Sequence, residues 1–484
     1  MRKLRLLAVA ALVALMAAPA SASVQTIRLS GSLDTTYLYR TNFDLGVSTH
    51  GQAEQSFIFS QLLLDVDADL TDNVSVHAGV GNERPWEAST SSTTDIVLYK
   101  AFFEIKEALY SPLKVSVGRQ PFSYGNSFIV DSAGTNNSAS GDSDISGTAA
   151  DFTKLTSQNA VRLTFDYDPL IVELLFSKIH PNTVSAAVDD RDDKDLYGIN
   201  ITHELGDEMN TGVEGYFFAQ YDRSTSSGNN GAGNPADSKV DTVYTPGFLV
   251  TTTPLEGLST SIEYAHQFGT KQILGAGIAE AQHRSAHAVQ FIGNYQVPEI
   301  GNETVDNMNP VLQYVYTHVS GDSNAEEETG PTKTNTWTAW DPLYENQHGG
   351  TIFNTLFDLT NLNIHSLSLT ANPMEDVTST LSWHGLWLDK EIDSEASNVL
   401  DSSAANGFTI RNPGGTASDY IVDPTEDFLG YEVDIVTTYD YTEDVQFGLN
   451  VGWFIPGDVL VGGSGVTTGV DGAMQTVLNG NVIF

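Results

Sequence analysis

The sequence predicts an all-β fold, a transmembrane antiparallel β-barrel of about 18 strands with short periplasmic turns and long extracellular loops. Three observations carry this. Apolar and polar residues alternate with period two in segment after segment, the connectors alternate between short and long, and the N-terminus reads as an export signal on a chain without Cys. The hairpin at 430–456 shows the pattern most plainly. Tyr431, Val433, Ile435, Thr437, Tyr439 and Tyr441 share one line, and Glu432, Asp434, Val436, Thr438 and Asp440 the other. After the polar break Thr442-Glu443-Asp444, Val445, Phe447, Leu449, Val451, Trp453 and Ile455 resume the apolar line. Period-two alternation is the strand signal, and a short polar break makes a hairpin. Each half is long enough to cross a bilayer at a tilt, which takes roughly 9–11 residues. One such hairpin would also suit a soluble sandwich, so the repetition decides.

The N-terminus supplies the compartment. Arg2, Lys3 and Arg5 precede an apolar run at 6–18, and Pro19-Ala20-Ser21-Ala22 offers a small-residue cleavage site. This predicts a cleaved Sec-type signal peptide at 1–22 and a mature barrel at 23–484, the apolar run being too short to span. With no Cys, a lipoprotein anchor and a disulfide-stapled small domain are both excluded. No later apolar run reaches the length of a transmembrane helix, about 18 residues. The mean hydropathy of −0.16 looks soluble, yet an alternating barrel wall averages to neutral. Cleavage would remove three of 22 bases and none of 62 acids, leaving 19 against 62, a net charge of −43. Such a surface excludes nucleic acid as a partner. It fits cations, or neutral solutes in a cation-rich lumen, although part of the acidity simply keeps loops soluble.

Taken in order, 26–40 reads as the first strand, with Ile27, Leu29, Leu33, Tyr37 and Tyr39 opposite Arg28, Asp34, Thr36 and Arg40. At 57–70, Leu62, Leu64, Val66, Ala68 and Leu70 oppose Gln61, Asp65, Asp67 and Asp69; the turn Thr71-Asp72-Asn73 leads back through 74–83. Strands at 96–106 and 113–120 flank Tyr110-Ser111-Pro112, and those at 159–167 and 170–179 flank Asp168-Pro169. Further pairs are 196–205 with 213–221, 243–253 with 258–268, 285–295 with 311–319, and 362–370 with 378–388. The hairpin at 430–456 follows, and 475–484 is last. The longest connectors, 121–157, 223–241, 321–350 and 390–428, are polar and rich in Gly and Ser. Tight turns on one side and long loops on the other are the habit of outer-membrane barrels. The last strand puts Thr476, Leu478, Gly480, Val482 and Phe484 on one face, so the chain ends on a lipid-facing aromatic of the kind the barrel-assembly machinery recognises. Tyr37, Tyr39, Trp86, Trp383, Trp387, Tyr439 and Trp453 fall near strand ends, as interface girdles do.

Four segments are more specific. Val117-Gly118-Arg119-Gln120 runs into Pro121-Phe122-Ser123-Tyr124-Gly125. Tyr314, Tyr316 and Thr317 precede Ser320-Gly321-Asp322. Then come WDPLYENQHGG at 340–350 and Phe454-Ile455-Pro456-Gly457-Asp458. In this order and spacing they resemble the alginate export family of outer-membrane barrels, over nearly the whole mature chain. The resemblance implies an 18-stranded barrel in the outer membrane of a Gram-negative bacterium. It implies a passive channel, in a family whose prototype exports an anionic polysaccharide through a positively charged pore and many of whose members have no known substrate. It also implies Arg119 at or near the constriction with Gln120 beside it, and 343–350 as a folded-in loop. Physically, Arg119 stands where a strand gives way to a long loop, and its guanidinium is a rigid fork for carboxylates. The other open reading has it paired with a lumenal acid and bracing the wall.

The polar lines give the lumen's charges. The acids are Asp34, Asp65, Asp67, Asp69, Glu83, Glu104, Asp166, Glu173, Glu204, Glu214, Glu263, Glu432, Asp434 and Asp440; the bases are Arg28, Arg40, Lys100, Lys106, Arg162, Lys194 and Arg284. Acids lead about two to one, and rings of carboxylates favour cations. A polyanion would be repelled unless the bases cluster at one narrow point. The pore candidates are therefore Arg119, Gln120, Arg28, Arg162, Asp65, Asp67, Glu432, Asp434 and Asp440. Asp142, Asp144, Asp189, Asp190, Asp192 and Asp193 lack the spacing of a calcium loop and read as solvated loop acids, bridged to lipopolysaccharide at most. His348 reads as a hydrogen-bonding loop residue. No Ser/His pair has an orienting partner, so no enzyme and no cofactor is expected. The expected function is a channel for hydrophilic solutes or a polysaccharide, with cation or neutral-solute preference. The rival is a non-conducting barrel acting as a surface receptor or scaffold through its long loops. Expected partners are outer-membrane lipid and lipopolysaccharide, the assembly machinery and the solute.

Overall fold

The computed structural model describes residues 25–46, 54–86, 96–133, 149–180, 194–223, 240–275, 278–322, 336–347, 349–392, 399–400, 408, 410, 420–463 and 469–484. The signal peptide expected at 1–22, the acidic loop residues Asp142, Asp144, Asp189, Asp190, Asp192 and Asp193, and His348 lie outside them.

Eighteen strands form the wall. They are β1 (Thr26–Thr41), β2 (Gln55–Thr71), β3 (Val74–Pro85), β4 (Val97–Ile105), β5 (Leu113–Gln120), β6 (Gln158–Asp166), β7 (Leu170–His180), β8 (Lys194–Glu204) and β9 (Gly212–Asp222). The second half comprises β10 (Asp241–Leu255), β11 (Leu258–Gly275), β12 (Ile278–Gln296), β13 (Val311–Val319), β14 (Leu362–Met374), β15 (Val377–Leu388), β16 (Phe428–Thr442), β17 (Val445–Pro456) and β18 (Ala473–Ile483). Each pairs antiparallel with its neighbour in sequence. The cylinder closes where β18 pairs β1, from Met474 opposite Thr41 to Ile483 opposite Ser32. Closure leaves no sheet edge and satisfies every ladder within the wall, which a structure crossing lipid requires. Among the described residues no helix is long and apolar enough to cross a membrane.

Alternation sets the two faces. On β1 the outward line exposes Ile27, Leu29 and Leu33, while Asp34, Thr36 and Arg40 are buried inward. The outward apolar line continues through Leu62, Val66, Phe103, Leu174, Ile199, Phe248, Ile262, Leu312, Leu369, Leu381, Ile435, Leu449 and Leu478. Tyr37, Tyr39, Trp383, Trp387, Tyr439 and Trp453 stand on it too. All 18 strands lie where the alternation predicts them. The largest difference is at β11 and β12, which run on to Gly275 and from Ile278 as one long hairpin.

The short turns share an end with both termini. Gly31 and Phe484 exchange backbone hydrogen bonds of 2.8 and 3.0 Å there. In the turn between β8 and β9, the backbone N–H and hydroxyl of Thr211 both donate to Asp207, each at 2.7 Å. Those bonds hold the Asp207 carboxyl below its ordinary pKa. The 297–310 link carries a single helical turn, Glu303–Asp306, capped by Asn302, whose Oδ1 accepts from Thr304 N–H at 3.1 Å.

At the other end the lumen holds an apolar core. Phe122, Phe128, Ile129, Trp340, Leu343, Phe353 and Phe357 come from connectors, and Leu175, Leu196, Phe218, Val243, Leu386 and Phe454 come from the inner lines of strands. Burying each large side chain is worth roughly 1.5–3 kcal/mol. This drive folds the two connectors inward.

The register on β5 depends on Gly118, which has φ +130° and no room for a Cβ against the carbonyl of Ala101 on β4. Gly118→Ala is expected to destabilise the barrel by about 1–3 kcal/mol, the usual strain at such a position. Gly448→Ala, with an open site on β17, is the control. Heat-modifiable gel migration reads both; equal unfolding temperatures would contradict the β4–β5 register.

Candidate functional site

Two inward segments meet across the lumen. The first follows β5 and comprises 121–133 and 149–157; the second, 336–361, lies between β13 and β14. Their backbones pair: Asp131 N–H donates to the Tyr344 carbonyl at 2.8 Å, Tyr344 N–H to Ile129 at 3.1 Å, and Asn346 N–H to Ser127 at 2.9 Å. The Phe128 and Trp340 rings stack, with centroids 6.4 Å apart. Together they form a plug, of which the folded-in 343–350 segment is one part.

The wall holds this plug through carboxylates. Glu432 on β16, fully buried, accepts from the backbone N–H of Ile352 at 2.8 Å and of Phe353 at 2.7 Å. These are N–H groups at the start of the helical turn Phe353–Leu356, which no bond within the turn satisfies. Asp434, two residues on, accepts from the Thr351 hydroxyl at 2.7 Å. Glu263 on β11 accepts from Asn126 N–H at 2.8 Å and the Tyr216 hydroxyl at 2.7 Å. Glu214 on β9 accepts from Gly125 N–H at 2.9 Å. Glu173 on β7 accepts from the Tyr124 hydroxyl and from Arg162 on β6, through Nε at 3.0 Å and Nη2 at 2.8 Å. Glu83 on β3 takes Lys154 N–H at 2.6 Å and the Thr153 hydroxyl at 2.8 Å. Asp34 meets Lys154 Nζ at 2.6 Å, and Arg40 meets Asp151. Bonds to ionised acceptors are about twice as strong as neutral ones. A buried loop needs such acceptors because its N–H groups have no ladder partner.

The predicted site residues divide by their place on the wall. Glu432, Asp434 and Arg162 face inward and belong to the plug's anchorage. Asp65 and Asp67 face inward on β2. Asp65 meets Lys100 Nζ at 3.0 Å and the Tyr99 hydroxyl at 2.7 Å, and Asp67 meets His77 Nδ1 at 2.5 Å. Arg28, exposed near the termini, stands opposite Asp67 in register. Asp440 is exposed at the same end and accepts from Gln446 at 2.7 Å. Gln120 is inward and buried, its Nε2 donating to the Ala160 carbonyl at 2.9 Å.

Arg119 stands at the end of β5. Ser116, Gly118 and Gln120 form the inner line of β5, so Arg119 lies on the outer one. It stands level with Ala101 on β4 and Asn159 on β6, and its Nε donates to the Tyr99 carbonyl at 3.2 Å. Alternation could have found this, since Val115 and Val117 share the line of Arg119. Missed altogether were Lys114, 3.4 Å from Glu104, and the connector residues Asp151 and Lys154, which no periodicity marks.

The remaining lumen is uneven. Charged pairs occupy the inner lines of β2–β5. At the long-loop mouth Lys194, Lys271 and Arg284 are balanced by Asp222, Asp241 and Asp341. From β12 to β15, below the plug, the described inner lines carry amides, hydroxyls and aliphatics: Gln290, Ile292, Asn294, Gln313, Val315, Thr317, Ile364, Ser366, Ser368, Thr380 and Ser382. A cavity of about 760 Å3 lies between this arc and the second inward segment.

The profile of the alginate export family matches residues 26–470. No curated protein matches the sequence. Among solved structures, OccK11 (OpdR) of Pseudomonas aeruginosa is similar with a TM-score of 0.52 at 9% identity, over 95% of this chain and 96% of that one. OccK2 (OpdF) of the same organism gives 0.51 at 9% identity, over 95% and 98%. At such identities these likenesses show the fold alone.

Glu432→Ala leaves two buried N–H groups of the second inward segment without acceptors, a penalty of about 1–3 kcal/mol for each unsatisfied group. The segment is expected to loosen. Proteolysis of the folded protein at 345–361 should speed up, and single-channel conductance should rise. Unchanged proteolysis would show that the apolar core alone holds the plug.

Proposed function

The chain belongs to the alginate export family, and from that premise we propose a passive outer-membrane channel that admits small hydrophilic solutes, neutral ones above all. Fold and family are those of an outer-membrane transport barrel, not of an enzyme class. The observation that carries the solute preference is the use made of the lumenal carboxylates. Glu83, Glu173, Glu214, Glu263, Glu432 and Asp434 are bound to the inward segments or to Arg162. The acid-rich inner lines therefore present little free charge, and on the open arc at β12–β15 the ionisable His384 stands 3.4 Å from Asp434. Among the described residues no run of unbalanced bases guides a polyanion through, so the family's anionic polysaccharide is disfavoured as cargo. The acids remaining near the termini, Asp67, Asp69 and Asp440 among them, leave a weak cation preference.

The long loops face outward and the termini lie in the periplasm, the arrangement usual for such barrels. A cleaved signal peptide at 1–22 and assembly through Phe484 complete the reading, with membrane lipid and lipopolysaccharide around the wall. The rival, a non-conducting receptor or scaffold, draws on the apolar core that fills the long-loop end.

Liposomes containing the protein should swell in neutral monosaccharides faster than in equally sized anionic ones. Equal or reversed rates would overturn the solute preference, and no swelling at all would favour the receptor reading. Arg119→Ala should leave conductance and selectivity unchanged, because its line faces outward. Arg162→Ala, which frees the Glu173 carboxylate in the lumen, should raise cation preference in the same reversal-potential measurement. The opposite ranking would return Arg119 to the pore.

A further inference from the structure

We propose that the cavity between β12–β17 and the second inward segment is a binding site for an uncharged, polyhydroxylated solute of disaccharide size. The proposal rests on the channel reading and names what the channel holds on the way through.

Size and lining chemistry agree. The volume, about 760 Å3, falls within the range of small-molecule sites, roughly 300–1,000 Å3. Amides and hydroxyls alternate with aliphatic side chains on the same inner lines: Asn294 follows Ile292, Val315 follows Gln313, and Ser366 follows Ile364. A saccharide carries the matching mixture, with hydroxyls at its edges and C–H groups on its ring faces. Phe353 and Phe357 close the plug side.

Two buried acceptors point to a missing donor. Gln290 Oε1 and Asn450 Oδ1 have no hydrogen-bond partner, and both residues line the cavity. Gln290 is 1% exposed, and its Nε2 is already committed to Thr317 at 3.1 Å and Gln347 at 2.5 Å. Buried acceptors are nearly always satisfied, by protein, water or ligand. A hydroxyl group donates and accepts at once, so a polyol can serve both carbonyl oxygens and the neighbouring hydroxyls.

Charge excludes the alternatives. The acids on the lining are engaged: Asp151 with Arg40, Glu345 with Gln347 N–H at 2.7 Å, and Asp434 with Thr351. No Lys or Arg lines the cavity, and His384 on its lining is taken up by Asp434 at 3.4 Å and the Ser366 hydroxyl at 2.7 Å, so a uronate or a phosphate finds no free counter-charge. An apolar solute would strand the amides without partners.

The test is calorimetry on the full chain in detergent, with maltose, cellobiose and sucrose as neutral probes and digalacturonate as the charged one. At least one neutral disaccharide should bind, and digalacturonate should bind more weakly. Gln313→Leu and Asn450→Leu, on separate strands, should each weaken that binding by about fivefold, the loss of one hydrogen bond. Heat-modifiable migration should stay normal in both variants. No neutral binding by a conducting protein, equal binding of digalacturonate, or wild-type affinity in both variants would overturn the site. Sugar binding by a protein that passes no current would keep the site and overturn the channel reading.

Discussion

Everything inside this barrel depends on the bonds between wall carboxylates and the backbone of the two inward segments. Eighteen strands enclose more space than their own inner side chains fill. The connectors that fold into it bring backbone N–H groups that have no ladder to join. Glu432 and Glu263, five strands apart on the wall, supply carboxyl acceptors to backbone N–H groups of the two segments. The apolar core pulls the connectors in, and the carboxylates decide where they stop.

The same bonds give the chain's acidity a second role. A net charge of −40 suggests a strongly cation-attracting lumen. The structure spends much of the lumenal part of that charge on holding a plug. Neutral and charged arcs then separate: paired acids and bases on β2–β5, amides and hydroxyls on β12–β15.

The wall was legible in the sequence because period-two alternation is imposed by two solvents, lipid outside and a polar lumen inside. Hence all 18 strands and the inward placement of Asp65, Asp67, Arg162, Glu432 and Asp434 could be read directly. The plug was legible only through the resemblance at 343–350, since its backbone has no repeat and its contacts join residues far apart, as Asp131 meets Tyr344. For the same reason the partners of Glu432 and Glu263 could not be foreseen. At Arg119 two signals differ: the motif resemblance implies the constriction, while the alternation of Ser116, Gly118 and Gln120 puts it on the other line of β5, level with Ala101 and Asn159.

The most direct measurement is the reversal potential of the wild-type protein in a planar bilayer under a potassium chloride gradient. A plug-narrowed lumen with neutralised carboxylates predicts small, steady currents reversing slightly to the cation side. No current from folded protein, or clear anion selectivity, would contradict the account.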